Sequence, residues 1–197
     1  MNEHLTYDDY KWQKDNHIRC KYKARAEGLH KVLYQCPNCL KEYEMSSQGI
    51  VLKCNSCQKE WEMTEYGELL ALDGKNIFTH IPDWYEWERD NVRKEIEEGK
   101  YLFDSVVRIA ALPNVDKFID LGKGHLIHDM NGFKLTGNDG KKDFELNIDA
   151  KNTYGVHIEY EYLGKYGDCV DLNTLYDTLY VYPLIDKFSV TKMSLAC

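Results

Sequence analysis

The chain has 197 residues, 43% of them hydrophobic and 13% aromatic, the composition of a folded protein of one or two small domains with a substantial core. No run approaches the about 18 apolar residues of a membrane-spanning helix, and the acidic start Met1-Asn-Glu-His-Leu-Thr-Tyr-Asp-Asp lacks the apolar stretch of a secretory signal. A formal charge of −8 disfavours attraction to phosphate backbones, so nucleic acid is a poor first reading of the partner.

In chain order, residues 3 to about 19 predict a short helix, with Leu5, Tyr10, Trp12 and Ile18 among charged neighbours and Thr6 as its cap three residues before Asp9. The basic stretch from Ile18 to Gly28, with Arg19, Lys21, Lys23 and Arg25, reads as a connector, giving a first segment of 1–28. Residues 29–75 read as strands around cysteine doublets: Val32-Leu33-Tyr34, Ile50-Val51-Leu52 and Trp61-Glu62-Met63, the three-stranded layout of a zinc ribbon. Residues 76–100 hold a linking helix opened by His80-Ile81-Pro82-Asp83 and closed before Gly99, with Trp84, Trp87, Val92 and Ile96 on its apolar side, docking the ribbon on a C-terminal β domain. Glu95, Glu97 and Glu98 read as its solvated face.

Residues 101–197 alternate apolar and polar positions in Val106–Ile109, Gly132–Thr136, Phe144–Ile148, Val156–Tyr160 and Leu179–Pro183. Turn signals fall at Pro113-Asn114, Gly122-Lys123-Gly124, Asn131-Gly132, Asn138-Asp139-Gly140 and Gly164 to Gly167. About seven antiparallel strands with a C-terminal helix after Ile185 would make a small barrel or sandwich, resembling at the level of strand count the pleckstrin-homology and GRAM-type plan. The fold class expected is therefore α+β, mainly β.

The chemistry lies in Cys36-Pro37-Asn38-Cys39 and Cys54-Asn55-Ser56-Cys57, separated by the fourteen residues Leu40 to Lys53. Each C-x2-C lets two thiolates from one tight turn reach one ion, and two such turns complete the tetrahedral set of a closed structural zinc site with ligands Cys36, Cys39, Cys54 and Cys57. Iron would accept the same ligands; a redox dithiol would instead place one doublet at a helix start. A unit of about 45 residues buries too little apolar surface to stand alone, so the metal must supply much of its folding free energy. Seven cysteines, an odd number, fit a reducing, cytoplasmic setting, with Cys20, Cys169 and Cys197 as ordinary thiols.

Other polar patterns read as structure. His4 and Asp9 share the spacing of an acyltransferase histidine–aspartate pair, but residues five apart on a helix lie roughly 140° apart around its axis, so the carboxylate could not orient the imidazole. Strand alternation puts His125 and His128 on opposite faces, and Asp129 with Asn131-Gly132 reads as hairpin chemistry. Tyr154, Tyr160, Tyr162, Tyr166, Tyr176, Tyr180 and Tyr182 read as strand packing.

Taken in order, VLYQCPNC, LKCNSC, HIPDWYEWERDNVRKEI, GKGHLIHDMNGFKLTG and YVYPLIDKFSVTKMSL resemble the carboxy-terminal region of bacterial, mainly Firmicutes, lysophospholipid acyltransferase-like proteins. The resemblance covers nearly the whole chain and implies a zinc ribbon and β-rich extension that follow a membrane-associated 1-acylglycerol-3-phosphate acyltransferase-like domain. NEHLTYDDYKWQKDN resembles the helix that leaves that domain, so the catalytic histidine and aspartate would lie upstream, outside this chain. It further implies a noncatalytic chain, the upstream acyltransferase domain as partner, and a place at the inner face of the membrane. The chain departs from zinc-ribbon doublets at Leu40 and Gln58, where glycine often follows the second cysteine. Two other readings compete. One is a free-standing zinc-ribbon adaptor for a protein or nucleic acid, whose nucleic-acid version is disfavoured because Lys31, Lys41, Lys53 and Lys59 are matched by Glu42, Glu44, Glu60, Glu62 and Glu65 around the ribbon. The other is a β domain that reads lipid headgroups or peptides, for which the turns offer no strong basic patch.

Overall fold

The computed structural model describes residues 7–113, 117–139, 141–161, 166–174 and 177–197. The chain divides into two units, Met1–Glu88 and Arg89–Cys197, with the boundary inside a helix. Both are rich in strand, as the alternating patterns require, and helices are few.

The first unit opens with α1, Asp9–Asp15, shorter than the expected helix. Its cap is Asp8, whose carboxylate accepts the Lys11 N–H at 2.9 Å and also meets His80 Nε2 at 2.7 Å. His4, Leu5 and Thr6 lie outside the described residues. A second correction concerns Val32-Leu33-Tyr34, which is no strand. Leu29–Val32 forms a single-turn helix, α2, entered through left-handed Gly28, and leaves Leu33 and Tyr34 buried. The sheet of this unit has four antiparallel strands, not the expected three: β1 Met45–Gln48, β2 Val51–Cys54, β3 Glu60–Met63 and β4 Leu69–Ala71, paired in that order. Met-Ser-Ser-Gln in β1 lacks the β-branched signal of a strand; its pairing with β2, Met45 opposite Cys54 to Gln48 opposite Val51, creates it. Leu33, Leu52, Trp61, Leu69, Ile81 and Trp84 close one core, where the Trp61 and Trp84 rings meet edge to face at 5.1 Å.

Helix α3 spans Ile81–Glu97, with Pro82 and Asp83 in its first turn and Gly99 at φ 65° after its end, as predicted. Trp84 and Val92 are buried on it; so is Glu88, to which the apolar pattern gives no role.

The second unit is one seven-stranded antiparallel sheet, in the order β8-β7-β6-β5-β11-β10-β9. Its strands are β5 Phe103–Ala111, β6 Ile119–Asp129, β7 Gly132–Asn138, β8 Asp143–Asp149, β9 His157–Glu159, β10 Cys169–Asn173 and β11 Thr178–Pro183. Two meanders, β5 to β8 and β9 to β11, join where β11 pairs β5, with Val181 opposite Ile109. The Gly122-Lys123-Gly124 turn is overturned: it lies inside β6. Ile109 pairs Gly122 and Ala110 pairs Asp120, so Leu121 is the extra residue of a bulge, and Gly122 takes the φ of 84° that the bulge needs. Gly124 and Gly137 serve the core; a β-carbon on either would collide with the Ile109 side chain. The Asp129–Gly132 hairpin forms as expected. Of the other turn signals, Asn114, Gly140 and residues 164–165 lie outside the described residues. On one sheet face Val107, Ile109, Leu126, Leu135, Val170 and Val181 pack with Val190 and Met193 of the C-terminal helix α4, Val190–Leu195.

Candidate metal centre

The two doublets are built alike. In the first turn the Leu40 N–H donates to the Cys36 carbonyl at 2.9 Å and the Cys36 N–H to the Lys41 carbonyl at 2.9 Å. In the second, Gln58 donates to Cys54 at 2.8 Å and Cys54 to Lys59 at 2.9 Å. Both turns close through a left-handed residue, Leu40 at φ 61° and Gln58 at φ 62°. The conformation that glycine usually supplies is therefore kept without glycine. An isolated bridge between Gln35 and Glu42 frames the first turn, and the β2–β3 connection carries the second.

This symmetry is written in the sequence. CPNCLKEYEM at 36–45 and CNSCQKEWEM at 54–63 align with an offset of eighteen, sharing both cysteines, the lysine, two glutamates and the methionine, with an aromatic at the same place. Comparing the chain with itself would have found the repeat; reading the doublets for ligand spacing alone did not.

The four sulfurs converge. Cys36 Sγ lies 3.7 Å from Cys57 Sγ, and Cys39 Sγ 3.7 Å from Cys54 Sγ, with all four within 4.8 Å of one another. Sulfurs bound about 2.3 Å from a tetrahedral ion are about 3.8 Å apart, so the residues fit a four-thiolate metal site and the separations rule out disulfides. Cys36 and Cys54 are buried; Cys39 and Cys57 are half-buried. Burial pushes the Cys36 thiol up, against backbone N–H donors of Cys39 and Asn38. Burial also raises Cys54, opposed by the N–H groups of Cys57 and Ser56. At Cys57 burial is outweighed by the Lys59 N–H, the Asn38 amide and the neighbouring thiols, which bring it down to about 7. The Asn38 Nδ2 contact to Cys57 Sγ is 3.5 Å. Four protein sulfurs on one tetrahedral ion would leave no open position for substrate, the arrangement of a structural rather than a catalytic site.

The other candidates do not assemble. His128 is buried, accepts or donates to the Tyr101 hydroxyl through Nδ1 at 2.9 Å and stacks on Phe133; burial pushes it down to about 4. His125 points to the opposite face and pairs with Asp104 at 2.8 Å, while Asp129 accepts the Asn131 N–H at 2.7 Å inside the turn. Tyr160 bonds Thr191 and Tyr166 donates to Asp120, Tyr180 and Tyr182 pack in the sheet, and Tyr154 is exposed. Tyr162 and Tyr176 lie outside the described residues. Cys20 and Cys197 are exposed and Cys169 is buried. No helix among the described residues is long and apolar enough to cross a membrane. No protein-family model matches the chain, and no curated protein or solved structure matches it either.

Proposed function

We propose that Cys36, Cys39, Cys54 and Cys57 hold a structural zinc ion in a zinc ribbon. We further propose that the chain is the noncatalytic carboxy-terminal accessory region of a 1-acylglycerol-3-phosphate acyltransferase-like protein. The convergence of the four sulfurs supports the zinc part of this reading, since a loaded site would supply folding free energy and leave no coordination position for a reaction; the acyltransferase part rests on the sequence resemblance. The zinc, when bound, would offset part of the thiolate charge, most needed at Cys36 and Cys54, where burial favours the protonated thiol. The seven-stranded unit, a small barrel-like domain in this reading, contacts the upstream acyltransferase domain, another protein or a lipid headgroup. Nucleic acid is disfavoured because cations beside the ribbon are engaged within the chain: Lys53 with Glu60 at 2.9 Å, Lys59 with Asp73 at 3.3 Å and Arg25 with Glu62 at 3.9 Å.

Three measurements test it. Purified chain should contain one zinc per molecule, and cobalt in its place should show thiolate charge-transfer bands; metal-free folded protein overturns the zinc assignment. The chain should not transfer an acyl group from a thioester donor to lysophosphatidic acid, and transfer would sink the noncatalytic reading. The reading frame upstream of Met1 should encode an acyltransferase domain with its histidine–aspartate motif; a stop codon there overturns the accessory role.

A further inference from the structure

The face of the seven-stranded sheet opposite its apolar cluster carries a second group of metal-ligating side chains. In the β9–β10 pair, His157 stands opposite Asp171 and Glu159 opposite Cys169. Because side chains alternate along a strand, His157 and Glu159 share a face with Asp171 and Cys169, while Val170 and Leu172 enter the core on the other side. His157 Nε2 lies 3.5 Å from Glu159 Oε1 and 3.9 Å from Asp171 Oδ2, and one ligand atom from each of the three falls within 4.8 Å of the others. Donors about 2.1 Å from a tetrahedral ion are about 3.4 Å apart, so a small contraction brings all three onto one cation.

We propose that His157, Glu159 and Asp171 form a binding site for a divalent first-row cation, separate from the four-cysteine centre. Asp171 is only 8% exposed, yet its one hydrogen bond comes from the Cys169 thiol at 3.8 Å, a weak donor. No lysine or arginine among the described residues pairs with Asp171 or Glu159. A buried carboxylate beside a second carboxylate favours a positive charge between them, and the His157 imidazole is the group that faces both. An independent sign lies on the next strand. The Tyr182 hydroxyl is fully buried and makes no hydrogen bond of ordinary geometry among the described residues; burial first, then the neighbouring Cys169 thiol, Asp171 and Glu159, disfavour its ionisation. An ion on the carboxylates would bring coordinated water toward this orphan group.

The donor set selects the metal. One imidazole and two carboxylates suit manganese, iron, cobalt, nickel or zinc better than calcium or magnesium, and they lack the thiolates that favour copper(I). Three protein ligands leave a position for water or an anionic oxygen, in contrast to the closed sulfur site. The His157 side chain, 67% exposed, forms the open side.

The test uses the full chain with zinc already on its cysteines, titrated with Mn2+, a hard ion that does not displace zinc from thiolates. One manganese should bind per chain, broadening amide resonances centred on residues 157–159 and 169–171. His157→Ala, an exposed substitution that spares the core, and Asp171→Asn should each weaken binding by about tenfold or more. Broadening spread over other acidic surfaces, no saturation at millimolar Mn2+, or unchanged affinity in His157→Ala would overturn the site. None of these outcomes bears on the cysteine centre.

Discussion

Leu40 and Gln58 hold a left-handed backbone that costs a residue with a β-carbon roughly 1–2 kcal/mol. Leu40 is 62% exposed, so its side chain contributes little burial in return. Leu40→Gly should therefore raise the stability of the metal-loaded chain by about 0.5–1 kcal/mol, the relief of strain less the chain entropy that glycine loses. Thermal unfolding of the two loaded proteins measures it; a lower midpoint for the glycine variant would show that Leu40 makes a compensating contact. Glu88 is the residue that pattern reading misses, although it falls on the stripe Ile81, Trp84, Val92 of α3. Its Oε1 accepts the Gln35 N–H at 2.7 Å, Oε2 makes no hydrogen bond of ordinary geometry among the described residues, and burial pushes the acid up to about 9. The folded value lies above the unfolded one, so the native acid stays protonated where the unfolded one ionises. Stability is fully present below about pH 4.5 and declines toward pH 9 by up to about 1.4 kcal/mol per pH unit. Glu88→Gln should flatten that slope, which denaturant titrations at pH 5, 7 and 9 read directly.

At the level of elements, Gly124 and Gly137 decide whether β6 and β7 can pass beneath Ile109. Gly137→Ala should cost about 1–3 kcal/mol by overpacking, and Ile109→Val in the same chain should recover part of it. Chemical denaturation of the single and double variants checks both. These glycines also show what local sequence conceals. A G-K-G triplet in an alternating chain reads as a turn, and only the partner strand reveals a bulge and a close crossing. The eighteen-residue repeat teaches the same lesson within one pattern. Lys-Glu-aromatic-Glu-Met follows both doublets, yet Tyr43 sits at φ 60° outside any strand while Trp61 is buried in β3. The clustering of the four cysteines was legible because the doublet spacing is local, and α3 because its caps are local. Strand β1 and the burial of Glu88 were not, because pairing partners create both.

On the scale of the whole chain, the tryptophans divide unevenly. Trp12, Trp61, Trp84 and Trp87 all belong to the first unit, and the second has none. Tryptophan emission thus reports the four-cysteine unit alone. Its core includes the buried Cys36 and Cys54, whereas the seven-stranded sheet closes an apolar cluster of its own. Chelation should shift the emission of Trp61 and Trp84 to the red as they meet water, while the β-sheet circular dichroism of residues 103–183 and its thermal transition persist. Joint loss of both signals would mean that the units unfold as one.

The sulfur cage also has a front and a back. Cys36 and Cys54 are sealed against the core, and only the edge from Cys39 to Cys57 reaches the surface, with the Asn38 amide beside it. An ion held there would therefore come and go through one doorway: a chelator would take its first bond at that edge, and an oxidant would strike there before the hidden pair could be touched.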